Sequence, residues 1–298
     1  MVIVGVDGSA ASRTAVKWAA GDAFRMRLPL RIVHAVDPST GQIGKNANPH
    51  VVDALLRRGQ RILLEAEALV RERCPAVEVT AQEAEGAPAP ALRELAKGAT
   101  EIVIGRCGLG GFNDLLPGSV CVDLAGRATC PVVVVSGEPR PVYEEVVVGV
   151  NTSSVCEPAL AYAFEQARLR GATLRAVHAL APEAAYDLDK VHRTVHDRLK
   201  ALRKRYAQVT VIEDVRSEQP VDALADASES ADLLVVGSHG LGTAGSRLFS
   251  SVSRGVLFQA RCPVAAVHSW RPPASSGSWI SRHGPRRGPA WWCGVALA

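Results

Sequence analysis

The chain contains one unit written twice, and that repeat limits its fold more than any other feature. VIVGVDGSAASRTAVKWAA (2–20) returns as VVVGVNTSSVCEPALAYAF (146–164), at an offset of 144 that also carries LRIVHAV (30–36) onto LRAVHAL (174–180). ATEIVIGRCGLG (99–110) matches ADLLVVGSHGLG (231–242), and ATCPVVVV (128–135) matches ARCPVAAV (260–267), now at an offset of 132. The second copy is therefore shorter by twelve residues, and the turn-rich segment DPSTGQIGKNANP (37–49) accounts for the difference. A repeat of this length is a whole domain, able to bury its own core, so the chain reads as a tandem duplication.

Each copy alternates strand and helix patterns. In the first, strands are expected at 2–6, 31–36, 77–83, 101–105 and 132–135. Helical patterns fall at AVKWAAGDAFRM, at VVDALLRRGQRILLEAEALVRER, at ALRELAKGA and near 118–127. The long helix repeats Leu55, Leu56, Ile62, Leu63, Leu69 and Val70 at helical spacing, which gives it one apolar face. IVI and VVVV have no polar alternation, as suits strands covered on both faces. The expected fold is α/β, with two three-layer α/β/α domains, each carrying a five-stranded parallel sheet with right-handed crossovers. The domains are expected at 1–138 and 144–270.

The formal charge of +4 resides in Arg271, Arg282, Arg286 and Arg287, beyond the second copy, so residues 1–270 sum to zero. A nucleic-acid binder would carry a basic excess on its folded part, and nucleic acid is not an expected partner. Seven cysteines, an odd number, form no C-x-x-C pair and no zinc-ligand spacing, which suits a reducing compartment. No apolar run approaches the roughly 20 residues of a membrane span, and MVIVGVDGS lacks signal-peptide features. A cytoplasmic location without membrane contact is expected. Residues 271–298, rich in Pro, Gly, Ser and Arg, match neither copy and read as a disordered tail.

Directly after the apolar run EIVI comes GRCGLGGFNDLLPGS (105–119), with five glycines in fifteen residues. In parallel α/β sheets ligands gather at the carboxyl ends of strands, where Gly105 and Asp7 both fall. Gly118 and Ser119 open the following helix, whose N-terminus offers unpaired N–H groups and a positive dipole end to an anion. The same glycines could serve only as a tight connector, and Asp7 could be a helix cap shared with Ser9 or Ser12. His34 and His178, inside apolar strands, read as core histidines satisfied by one hydrogen bond.

The spacing Gly105-x-x-Gly108-(nine residues)-Gly118-Ser119 resembles the G-x-x-G-(nine)-G-[S/T] nucleotide signature of universal stress proteins. The likeness runs through both copies, to about residue 270, and includes V-G-V-D-G-S, the strand ending in V-H-A and the closing C-P-V-V-V-V. It implies a Rossmann-like fold akin to the adenine nucleotide alpha hydrolases, ATP as ligand, and Mg2+ arriving with the phosphates. Carried over by position, Gly5 and Asp7 close the first strand beside ribose and adenine, and the Ala35 backbone reads the adenine edge. Gly105 and Gly108 border the ribose and phosphates, which Gly118, Ser119 and the Val120 N–H hold. The matching set in the second copy is Asn151, Ala179, Gly237, Gly240, Ser250 and Ser251, where asparagine replaces the aspartate and serine the third glycine. Binding there is an open question.

The resemblance also implies dimerisation through the last strands, so VVVV (132–135) is expected to pair with VAAV (264–267) within the chain, and a homodimer is a further expectation. The implied role is stress response or dormancy through nucleotide-dependent regulation. Two rivals stand beside it, slow ATP hydrolysis or phosphotransfer, and a nucleotide-free scaffold. No catalytic set is evident, since only Arg106 and Asp114 lie near the loop and nothing like them recurs at Ser238 or 243–246. There is no Walker A sequence, no G-x-G-x-x-G after the first strand and no G-x-S-x-G elbow.

Overall fold

Unbroken apolar runs become strands because only a sheet covered on both faces hides every side chain of such a run. The computed structural model describes residues 1–37, 49–106, 117–136, 140–151, 156–181, 187–237, 251–268 and 270, with backbone alone for 49–52 and 188. In the first half, β1 (Val2–Gly5), α1 (Ala10–Met26), β2 (Leu30–Val36), α2 (Pro49–Arg73) and β3 (Val79–Glu85) follow in order. They lead into α3 (Pro88–Leu95), β4 (Glu101–Gly105), α4 (Ser119–Arg127) and β5 (Val132–Val135). The second half repeats the series as β6 (Glu145–Gly149), α5 (Glu157–Arg170), β7 (Thr173–Ala179), α6 (Leu188–Arg205) and β8 (Val211–Arg216). It closes with α7 (Pro220–Ala227), β9 (Leu233–Gly237), α8 (Ser251–Gln259) and β10 (Val264–Val267).

All ten strands belong to one sheet, in the order β3-β2-β1-β4-β5-β10-β9-β6-β7-β8. Each half is parallel within itself, and the halves meet at an antiparallel pair in which Val264 faces Val134 and Ala266 faces Val132. Two separate five-stranded sheets are thus replaced by a single ten-stranded one. Strand alternation sends Val2 and Val4 to one face with α1, α2, α5 and α6, and Ile3 to the other with α3, α4, α7 and α8. Because β5 and β10 are bonded, both apolar layers run through the two halves without interruption.

Several boundaries differ from expectation, α1 beginning at Ala10 rather than Ala15 among them, and two differ for local reasons. The third strand starts at Val79 rather than 77, because the Val77 N–H closes a turn onto the Cys74 carbonyl (2.9 Å) and Val77 is buried there. Helix α3 starts at Pro88, whose missing N–H costs nothing at the first turn, and Gly98 just beyond it takes φ +80°, a left-handed conformation that ends helices. Among the described residues, no helix is long and apolar enough to cross a membrane.

Candidate functional site

The order β3-β2-β1-β4-β5 reverses between β1 and β4, the place where open α/β sheets form a crevice at the strands' carboxyl ends. Asp7 lies just past β1 and Gly105 at the end of β4, so both stand at that reversal. The second half has the same reversal between β6 and β9, with Asn151 and Gly237 in the matching places.

The turn after β1 is organised by short polar side chains. Asp7 Oδ1 accepts from the Ser9 N–H at 2.9 Å, and Ser9 Oγ accepts from the Ser12 N–H at 3.1 Å, so Ser9, not Asp7, is the N-cap of α1. Gly8 between them sits at φ +85°, where an L side chain would be strained. This turn fixes the Asp7 carboxyl just past the end of β1.

Both strand histidines serve this corner. His34 Nδ1 bonds the Val6 carbonyl at 2.8 Å, and His178 Nδ1 bonds the Val150 carbonyl at 2.7 Å, so each pins the chain where the first strand of its half ends. Ala35 follows His34. The Val6 N–H bonds the Val33 carbonyl, so the backbone polar groups of Val33 face β1; Ala35, two residues on, turns its own the same way, past the end of that strand. The Cδ2 edge of His34 lies against Gly59 of α2, where an added Cβ would come within 2.9 Å of the ring and 2.6 Å of Glu83 Oε1. Nothing in the glycine signature points to Gly59, but a glycine in the middle of a long helix is a signal in itself.

The glycines of the site divide into two kinds. A Cβ on Gly105 would sit 2.6 Å from the Ala11 carbonyl carbon and 2.8 Å from its oxygen, so this glycine lets the first turn of α1 close on the end of β4. Gly5 is filled likewise, 3.0 Å from Leu92 of α3, and its counterpart Gly149 stands 3.2 Å from Leu224 of α7. These positions are glycine because protein packs on them. Gly118 differs: it is the N-cap of α4, its backbone is extended at φ −67° and ψ 164°, and among the described residues a Cβ would meet nothing nearer than the Arg106 carbonyl at 3.9 Å. Neither conformation nor packing in the described part of the chain asks for glycine there.

Gly118 is tied to the strand end by its N–H, which donates to the Arg106 carbonyl at 2.9 Å. One turn on, the Cys121 thiol donates to the carbonyls of Gly105 (3.1 Å) and Arg106 (3.2 Å). Its repeat partner Ser253 donates to the Gly237 carbonyl at 2.6 Å. Sequence reasoning missed this tie, although two small donors at equivalent positions of the copies were a readable sign. Ser119 and Val120 form the first turn of α4, and Ser251 opens α8. Gly108, Gly240, Ser250 and Asp114 lie outside the described residues.

Arg106 ties the strand end to the other half of the chain. Its Nη1 donates to the Ala260 carbonyl at 3.0 Å and its Nη2 to the Phe258 carbonyl, both at the C-terminal end of α8 in the other half. His268 returns the tie by bonding the Gly126 carbonyl of α4 at 3.0 Å. The second site carries its own substitutions: Cys156 stands where the first half has Ser12, with its thiol 3.6 Å from the Asn151 carbonyl and Arg198 Nη1 3.8 Å from its sulfur. Ala179, the last residue of β7, occupies the place that Ala35 holds in β2.

Comparison with known proteins agrees with this architecture. The model of the universal stress protein family matches residues 1–136 and again 143–268. A universal stress protein of Mycobacterium tuberculosis is 34% identical over 280 residues, covering 88% of this chain and 95% of its own length. The crystal structure of a universal stress protein from Archaeoglobus fulgidus covers 91% of this chain and 97% of its own at a TM-score of 0.71, with 18% identity. Another structure from Archaeoglobus fulgidus, a universal stress protein in complex with dAMP, is 30% identical and covers 43% of this chain and 99% of its own at a TM-score of 0.35. With two successive matches to one family model and a relative aligned over most of both chains, this chain belongs to the universal stress protein family.

Proposed function

We propose that the first half of the chain binds an adenine nucleotide, ATP accompanied by Mg2+, in the crevice between the carboxyl ends of β1 and β4. The observation that carries this reading is Gly118, an N-cap glycine that neither backbone strain nor any described neighbour requires. A phosphate resting on the first N–H groups of α4 would use the space that a Cβ would occupy. Around it, Asp7 is presented by the turn after β1 and Ala35 turns backbone toward the same corner, which supports a ribose and adenine end opposite the phosphates. Ser119 and the Val120 N–H complete the anion end, and Gly108 is assigned to the same loop from its spacing alone. Gly5 and Gly105 contribute indirectly, by letting α3 and α1 close on the strand ends. Mg2+ would be held through the phosphates, since among the described residues no group of three or more His, Cys, Asp or Glu could hold a metal.

Binding, not turnover, is the activity we assign. Phosphoryl transfer needs cations on the developing charge, and the guanidinium of Arg106 is directed to the carbonyls of α8. Nucleotide occupancy would then act by shifting a conformational equilibrium or partner binding in the cytoplasm, in stress response or dormancy. The same proposal takes 1–138 and 144–270 as the two domains, paired through β5 and β10, with a homodimer as the larger assembly. A thermal-shift titration with Mg-ATP, run beside a phosphate-release assay, tests it. A rise in melting temperature without phosphate release above background is the expected result. Steady release abolished by Gly118→Ala would replace this reading with the hydrolase, and no shift with any adenine nucleotide would replace it with the scaffold.

A further inference from the structure

The two halves meet over a buried polar cluster that the nucleotide site does not use. Helices α1 and α5 are repeat partners, and at the offset of 144 their residues Trp18, Asp22 and Met26 match Tyr162, Gln166 and Arg170. The copies have diverged into complements: Arg170 Nη2 grips both oxygens of Asp22, at 2.7 and 3.0 Å, and its guanidinium lies 5.0 Å from the Trp18 ring. Arg25 adds a second contact to Asp22 at 2.7 Å. Beside this pair, at the start of β4, lies Glu101, with no exposure to solvent.

Glu101 Oε2 accepts from the Tyr162 hydroxyl at 2.6 Å and from Gln166 Nε2 at 3.4 Å, both neutral donors from the opposite half. Its other oxygen, Oε1, is buried and has no hydrogen-bond partner among the described residues. Asp22 lies within hydrogen-bonding reach, but two carboxylates repel. One proton resolves both problems, turning Glu101 into a donor to an Asp22 carboxylate that Arg25 and Arg170 already hold ionised. Packing does not demand a carboxyl here, because the repeat partner of Glu101, at the offset of 132, is the fully buried Leu233.

We propose that Glu101 is a proton-binding site that locks the two halves of the chain together, holding its proton at neutral pH and loosening the seam when the proton leaves to solvent. The groups facing it are Asp22 from α1, with Arg25 paired to that carboxylate, Tyr162 and Arg170 from α5, Cys130 ahead of β5, and the Met1 ammonium. Burial, and then the Asp22 charge, push the Glu101 carboxyl up from 4.5 to about 8. A carboxyl raised in the folded state gives stability that is complete below the unfolded value of 4.5 and is lost as pH climbs to about 8. Across that window the folded chain holds one proton more, so the folded-to-unfolded ratio falls about tenfold per pH unit from this group.

The test compares urea unfolding of the whole chain from pH 5 to pH 9 for wild type, Glu101→Gln and Glu101→Leu. Relative to either variant, wild type should lose about a factor of ten per pH unit up to near pH 8 and then run parallel. Curves parallel throughout would show that Glu101 ionises as in the unfolded chain and would overturn the proposal. Infrared spectroscopy of wild type supplies a readout that needs no variant: a protonated-carboxyl stretch at pH 7 that disappears by pH 9 is expected, and its absence at pH 7 would be equally fatal. Hydrogen exchange at β5 and β10, corrected for its intrinsic pH dependence, should show protection falling over the same interval. Unchanged protection would refute the seam-loosening half of the claim.

Discussion

Gly105 and Gly118 belong to one motif, yet their surroundings among the described residues differ, and two alanine substitutions read out that difference. In Gly105→Ala the new Cβ falls 2.6 Å from the Ala11 carbonyl carbon and 2.9 Å from the Ala11 Cβ. Most of what it meets is backbone, so the first turn of α1 must move rather than a flexible side chain. Overpacking of this kind costs about 1–3 kcal/mol, and each kcal/mol lowers the melting temperature by about 2–4 °C in chains of 150–250 residues. In Gly118→Ala the nearest described atom is 3.9 Å away and the extended backbone suits alanine, so stability should stay within about 0.5 kcal/mol of wild type. Urea unfolding followed by circular dichroism measures both, and the nucleotide titration is repeated on each. The expected pattern is a destabilised Gly105→Ala chain, and a Gly118→Ala chain of normal stability with weakened binding. Equal losses of stability in the two variants would refute the division, and so would a neutral Gly105→Ala. Loss of binding in Gly105→Ala alone would say little about the ligand, because α1 also carries the turn that presents Asp7.

Other expectations are simpler. Ser9→Ala removes the N-cap of α1 and should cost about 0.5–2 kcal/mol in urea unfolding, whereas Asp7→Asn should leave the cap intact and act on nucleotide affinity. Arg106→Gln withdraws charged hydrogen bonds from Phe258 and Ala260 and should lower stability by about 1.5–3 kcal/mol, with nucleotide affinity changed less than about twofold if the guanidinium has no phosphate role. In the second half, Asn151→Asp combined with Ser250→Gly restores the residues of the first copy, and calorimetry should then count an additional nucleotide per chain.

Much of this architecture was legible in the sequence. The repeat offsets, the apolar runs and the alternation of periods located nearly every element, because burial on both faces leaves few ways to arrange IVI and VVVV. The reversal at β1 and β4 was not visible residue by residue, but once strand order is known it places Asp7 and Gly105 at one crevice. Spacing could not say which glycines have protein packed on them and which have room among the described residues, since that depends on the neighbour a missing Cβ would meet. Gly105 and Gly118 look alike in a motif and differ in three dimensions. The polar seam was the least legible feature. Asp22 and Arg170 sit on helices where charged residues normally face water, and Glu101 stands directly before an apolar run like a strand-edge carboxyl. Only the antiparallel pairing of β5 with β10, which brings α1 against α5, buries them together.

Isothermal titration calorimetry of the full chain with Mg-ATP tests the account most directly. One saturating site per chain is predicted, weakened at least about tenfold by Gly118→Ala, a loss of about 1.4 kcal/mol or more. Absence of both heat and thermal shift at millimolar Mg-ATP would contradict it, and so would equal binding to wild type and Gly118→Ala.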